Sequence, residues 1–264
     1  MTFALKLVLT PALIAIATLA GRRFGPSISG WLVGLPFTSG PVSFFLALEQ
    51  GTAFAAAAAA GSIAGVAASA LFAIAYSETA RRAGWPVALG VGSAVFAVAA
   101  FALRELPLEG DPGTLVLLYA ASVAVAILGI VLIPRPTALD EAPPPPRWDL
   151  PARMVVATAL VIAITSAAPV LGPRTSGLIT TYPIYASVLG VFAHVQRGPG
   201  AATQVMRGLC YGIVAFATFF LAIGLLIDRA GIAAAFVIAA LAAVGVQALT
   251  LTRVRTRATP SPTA

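Results

Sequence analysis

Apolar residues fall into nine long runs, at 3–20, 28–48, 53–76, 86–103, 114–133, 154–170, 176–196, 205–227 and 232–250. Most of the charge sits in the short segments between them. Helical runs of roughly 17–25 apolar residues are long enough to cross a bilayer's hydrocarbon core. A membrane β-barrel would instead alternate over segments of about ten residues, and no such alternation occurs. The pattern therefore predicts an all-α polytopic membrane protein with nine transmembrane helices. Between the fifth and sixth runs, "DEAPPPPRWDLPAR" carries four consecutive prolines, which predict a stiff extended linker. The tail "RVRTRATPSPTA" is expected to be disordered.

Glycine and proline punctuate these runs with a period of 147 residues. "GPSISGWLVGLP" at 25–36 returns as "GPRTSGLITTYP" at 172–183. Eight of the eleven Gly and Pro residues in 25–84 match in kind: Gly25 with Gly172, Pro26 with Pro173, Gly30 with Gly177, Pro36 with Pro183, Gly51 with Gly198, Gly61 with Gly208, Gly65 with Gly212, and Gly84 with Gly231. Composition alone would give about one match. Lys6 meets Arg153 upstream, so the opening run, which resembles a signal peptide with a one-lysine n-region, is expected to be retained. The organisation read from this is a first unit at 1–103, a linker helix and proline loop at 104–153, a second unit at 154–252, and a tail at 253–264. Each unit holds four helices.

Five crossings before the second unit would invert it relative to the first. Charge agrees with that count. With nine crossings, one face receives Arg22, Arg23, Arg81, Arg82, Arg135, Arg147, Arg153, Arg197, Arg207, Arg253, Arg255 and Arg257, and the other only Lys6, Arg104, Arg174 and Arg229. The positive-inside rule then puts the N-terminus outside and the C-terminus in the cytoplasm. Composition fits a membrane chain, with 59% of residues hydrophobic and 9% charged, against about a quarter charged in soluble domains. The net charge of +7 reads as short basic loops and not as a nucleic-acid surface. Cys210 is the sole cysteine, which excludes a disulfide framework.

Candidate chemistry centres on the second helix of each unit. A proline inside a helix removes a donor and frees the carbonyl one turn back, and in lipid such groups need partners. Around Pro36 lie Ser29, Thr38, Ser39 and Ser43; around Pro183 lie Ser176, Thr180, Thr181, Tyr182, Tyr185 and Ser187. Broken helices with hydroxyls near the midplane are how inverted-repeat transporters build a solute site, so the Thr38, Ser39, Thr181 and Tyr185 hydroxyls are expected to face one another across the two breaks. The plainer reading is that the hydroxyls only patch the kinks. Gly61, Gly65, Gly208 and Gly212 form two GxxxG motifs, read as helix-packing surfaces. Glu49, His194 and Arg207 near helix ends are either snorkelling groups or gating residues. One histidine and no clustered acids or cysteines provide no metal site. No cofactor or nucleotide loop is indicated, and an enzyme has little support.

The segment "SGLITTYPIYASVLGVFAHVQRG" resembles the signature helix of GlpM-like small bacterial inner-membrane proteins, through Gly177, Leu178, Pro183, His194 and Gly198. The likeness extends loosely over 154–250 and more weakly over 3–103, where Trp31 replaces the leucine and Ala47 stands at the histidine's place. Family members are typically single four-helix units, so the resemblance implies a fused duplication in the inner membrane. It supplies no substrate. The resulting expectation is a transporter-like protein, with the lipid bilayer and a small neutral or zwitterionic solute or lipid-linked molecule as partners. The alternative is a non-transporting scaffold or accessory protein of envelope polysaccharide assembly.

Overall fold

The computed structural model describes residues 2–37, 39–105, 111–135, 145–167 and 181–255. Every regular element among them is helical. The first is α1 (Thr2–Phe24), which Gly25 ends and after which Pro26 opens the short α2 (Pro26–Leu32). Pro suits this first helical position because its missing N–H has no partner there in any case. Next come α3 (Ser39–Gln50), α4 (Thr52–Ala80), α5 (Trp85–Arg104), α6 (Pro112–Leu132) and α7 (Asp149–Ala167). The run Ile184–Arg255 is broken by non-helical backbone at Gly198 and Gly231, giving α8 (184–197), α9 (199–230) and α10 (232–255).

Among the described residues, five helical runs are long and apolar enough to cross a membrane by length and composition: Leu7–Phe24, α4, α5, α6 and Ile184–Val254. Nine were expected. Part of the difference lies in the broken helix at 28–48, whose two pieces have 7 and 12 residues and are too short singly. Part lies in Ile184–Val254, one continuous run by this measure although two glycines divide it. The linker expectation also changes, because α7 begins at Asp149 and takes in "DLPAR". Pro151 sits in the first turn, where proline costs a helix nothing. At the other end α10 continues to Arg255, so the disorder expected from 253 does not begin there. Residues 256–264 and the proline run 143–144 lie outside the described residues.

An antiparallel pair, α4 and α9, forms the centre. Gly224 lies against Ala59 at one end, while Ile74 and Cys210 converge on Gly129, and Tyr76 and Met206 on Gly190, at the other. The alanine run of α4 allows this approach: Ala55, Ala56, Ala59 and Ala60 are buried in a cluster with Phe219, Phe220 and Ile223 of α9 and Ala235 and Ala239 of α10. A second cluster at the opposite end joins Phe72, Ala73 and Tyr76 of α4 to Ala88 and Phe96 of α5 and Met206 and Cys210 of α9. In the seam between the two central helices lies α6, running parallel to α4, with Leu115 near Ala59 and Gly129 near Ile74. Ser122 donates to the Ile63 carbonyl at 2.8 Å, and the Tyr119 and Thr218 hydroxyls lie 3.1 Å apart.

The remaining helices flank this centre. The end of α1 meets the start of α7 through Arg22 and Asp149, and Ile14, Ala17 and Ala157 share one buried cluster, so these two helices are antiparallel. Following α9 in one direction, α2 and α3 place Ser27 at Gly208, Gly34 at Gly212 and Gly40 at Phe219. Similarly α8 follows α4, with Thr181 at Gly65 and Gly190 at Tyr76. These directions gather Arg22, Arg23, Arg81, Arg82, Arg153, Arg197 and Arg207 at one end of the bundle. Glu49, Glu105, Asp111 and Asp228 lie at the other.

Candidate functional site

The two proline breaks are built alike. At the first, Phe37 N–H donates to the Leu35 carbonyl (2.9 Å) across Pro36, and Gly40 N–H donates to the Pro36 carbonyl (2.8 Å). At the second, Ile184 N–H donates to Tyr182 (2.8 Å) across Pro183, and Ser187 N–H to Pro183 (2.8 Å). Each is a three-residue turn centred on proline, the conformation that reverses a chain locally before a new helix starts. Beyond both breaks the next junction also matches. Gly51 has φ 87° and ψ 173°, and Gly198 has φ 78° and ψ 177°. Positive φ of this kind is open to glycine and strained for other residues.

Their surroundings differ. At the second break the Thr181 carbonyl, freed by the interruption, accepts from Ser69 Oγ of α4 at 2.8 Å. The Thr181 side chain rests on Gly65, where a Cβ would fall 2.2 Å from its hydroxyl oxygen. Tyr182 pairs with Ser93 of α5, oxygen to oxygen at 2.8 Å. Its ring meets Phe72 and Phe96 edge-on, with centroids 5.6 and 5.2 Å away. From there Phe72 leads to Tyr76, whose hydroxyl lies 3.4 Å from His194 Nδ1. A polar cluster of Ser69, Ser93, Thr181 and Tyr182 thus sits at the break, and an aromatic file connects it to His194 toward the basic end.

The first break is almost wholly apolar. Gly34 is pressed against Gly212 of α9, and Gly40 faces the Phe219 ring at 3.3 Å. Ser29 donates back to the Pro26 carbonyl (2.7 Å), as Ser187 does to the Pro183 carbonyl (2.9 Å). Trp31 is held by α10, donating from Nε1 to Thr250 (3.0 Å) and accepting at its carbonyl from Gln247 (2.7 Å). Ser39 and Ser43 are half-buried on α3, and Glu49 is exposed at its end. Thr38, Ser176 and Thr180 lie outside the described residues. The Tyr185 hydroxyl, expected to look toward the other break, reaches Thr10 of α1 at 3.3 Å.

Among the motif glycines, Gly208 and Gly212 lie directly on α2, and Gly65 receives Thr181. Gly61 does not belong with them, because nothing lies within 4 Å of a Cβ there. On the facing side the contact is made by Gly30, against the Val205 carbonyl, and by Gly34, against Gly212. Cys210 is buried in the apolar cluster beside Gly129.

Two ionic features were not legible beforehand. Asp149 is fully buried and accepts from Arg22 Nη2 (2.7 Å), from Arg153 Nε (2.9 and 3.0 Å) and from the Gln196 amide. Burial raises its pKa, but hydrogen bonds from Arg22 and Gln196, with the charge of Arg153, outweigh this and hold the carboxyl below the usual range. Arg153 also donates to Gln196 Oε1 (3.3 Å) and stacks 4.8 Å above the Phe192 ring. Separately, buried Arg207 donates to the Ile130 and Ile133 carbonyls at the end of α6, where a cation complements the helix dipole. No family model, curated protein or solved structure matches the chain.

Proposed function

We propose that the chain is a transporter-like protein of the bacterial inner membrane. It moves a small neutral or zwitterionic solute, or a lipid-linked molecule, past its proline-broken helices. The observation that carries the reading is the polar cluster at the second break. Ser69, Ser93, Thr181 and Tyr182 concentrate hydroxyls and a freed carbonyl where two apolar helices meet a broken one, the arrangement that solute sites in such proteins use. The pathway is placed at the Pro183 break, with Pro36 as its better-packed counterpart.

The same proposal includes nine crossings in two inverted units, as in a fused GlpM-like duplication. It is supported by matching bonds 147 residues apart at both breaks. The antiparallel course of α1 against α7 and of α4 against α9 supports it too. The arginine-rich end is taken as cytoplasmic. Reporter fusions at Pro145 and Ala264 should then read cytoplasmic and one at Gly110 external; a cytoplasmic signal at Gly110 overturns the inversion.

A scaffold or accessory role in envelope assembly is the second reading. The close approach of α2 to α9 and the back-bonded Ser29 and Ser187 favour it. The two separate by labelling. In a Cys210→Ala background, Ser93→Cys and Thr181→Cys should react with a small methanethiosulfonate at least about tenfold faster than Val125→Cys on α6. Equal, slow rates at all three positions would favour the scaffold.

A further inference from the structure

The rod α8 has a chain break at each end: the proline turn at Tyr182–Ile184 before it and Gly198, with φ 78°, after it. The chain thus changes direction at both ends of α8. Its first residues follow directly on the polar cluster. What holds its far end is the buried ionic knot. Gln196, two residues before Gly198, donates to Asp149 and accepts from Arg153 of α7. Asp149 is at the same time bound by Arg22 at the end of α1. Phe192, one turn earlier on α8, lies under the Arg153 guanidinium. The knot therefore fastens α8 to both α1 and α7 at the basic end. At the matching position of the first unit, 147 residues earlier, stands Glu49, exposed at the end of α3.

Charges buried in such a knot are costly unless every partner is in place. We propose that the Asp149–Arg153–Gln196 knot is a latch that closes the basic end by pinning α8, and that its release swings α8 away and opens the Ser93 and Thr181 cluster to water on that side. This rests on the pathway proposed above.

Gln196→Met tests it, because methionine keeps the volume and removes both amide bonds while leaving Asp149 with its two arginines. Thr181→Cys in the Cys210→Ala background is labelled with a membrane-impermeant methanethiosulfonate in vesicles of both orientations. With Gln196→Met the rate from the basic side should rise at least about tenfold, while the rate from the opposite side stays unchanged. Gln196→Asn, too short to span the same contacts, should give the same result if the methionine variant folds poorly. A lowered melting temperature with an unchanged rate from the basic side would overturn the latch. If Thr181→Cys reacts only from the opposite side in every variant, the latch falls and the pathway stands. If it reacts from neither side in any variant, the pathway itself fails.

Discussion

Gly208→Ala should leave little folded protein in the membrane, and Gly30→Ala should do the same. A Cβ at Gly208 would fall 2.0 Å from the Ser27 carbonyl oxygen and 2.9 Å from the Trp31 nitrogen. One at Gly30 would fall 1.9 Å from the Val205 carbonyl oxygen. These are backbone atoms on both sides, so no side chain can rotate out of the way. The only relief is to move α2 off α9, which also pulls on the Gln247 bond to Trp31 and on the Thr250 bond to its indole. Overpacking a core usually costs about 1–3 kcal/mol; two helices forced apart along this contact should lose at least the upper end of that range. Gly65→Leu and Gly212→Leu should be destabilised by at least as much as an ordinary overpacked site. Gly61→Ala, by contrast, meets nothing within 4 Å and should gain up to about 1 kcal/mol from helix propensity. Melting temperatures and yields of monodisperse protein in detergent decide the matter. A Gly208→Ala protein that melts with its parent would show that α2 and α9 are not in contact.

The second large effect is at Asp149. Asp149→Ala leaves the Arg153 guanidinium buried with its counter-ion gone and Arg22 without its carboxylate. Removing one member of a buried ion pair costs about 3–5 kcal/mol, so this variant should be among the least stable. Glu78→Ala supplies the contrast. Glu78 pairs with Arg81 and Arg82, but all three are exposed, and such pairs contribute about 0–1 kcal/mol. The pH dependence follows from the lowered pKa of Asp149. Its contribution to stability is complete above the unfolded carboxylate value of about 3.9 and is lost as pH falls through the lower folded value. Melting temperature should therefore be insensitive to this group from pH 5 to 8. A loss of the parent's advantage over Asp149→Ala already at pH 6 would contradict the geometry.

Helical class and the points of interruption could be read from the chain because both are local. Pro36 and Pro183 lack the donor a helix requires, and each sits in a turn from which a new helix starts, at Ser39 and at Ile184. Gly51 and Gly198 mark junctions that need positive φ. What a local pattern leaves open is what stands opposite. Gly61 and Gly208 belong to the same motif, yet one faces open space and the other the backbone of α2. Ser69 and Ser93 are ordinary serines in alanine-rich helices until folding brings Thr181 and Tyr182 to them, 112 and 89 residues along the chain. Asp149 was read as part of a proline linker. Its role depends on Arg22, 127 residues earlier, and Gln196, 47 residues later. The expectation for Tyr185 failed for a related reason: it lies past the Pro183 turn, on the new helix, where its hydroxyl meets Thr10 of α1, 175 residues away.

The placement of α9 also bears on how the molecule can be made. Both large apolar clusters draw residues from α9: Ala202, Met206, Leu209 and Ile213 in one, Ala215, Phe219, Phe220 and Ile223 in the other. A ribosome must therefore translate past residue 217 before the first cluster has all its buried members, and past residue 243 before the second does. Until then the Gly30–Gly34 face of α2 and the alanine face of α4 have left the ribosome without the helix that covers them. The eight helices that precede α9 are therefore made before the helix that joins the two clusters. Synthesis that stalls in the proline loop would strand the chain in that condition.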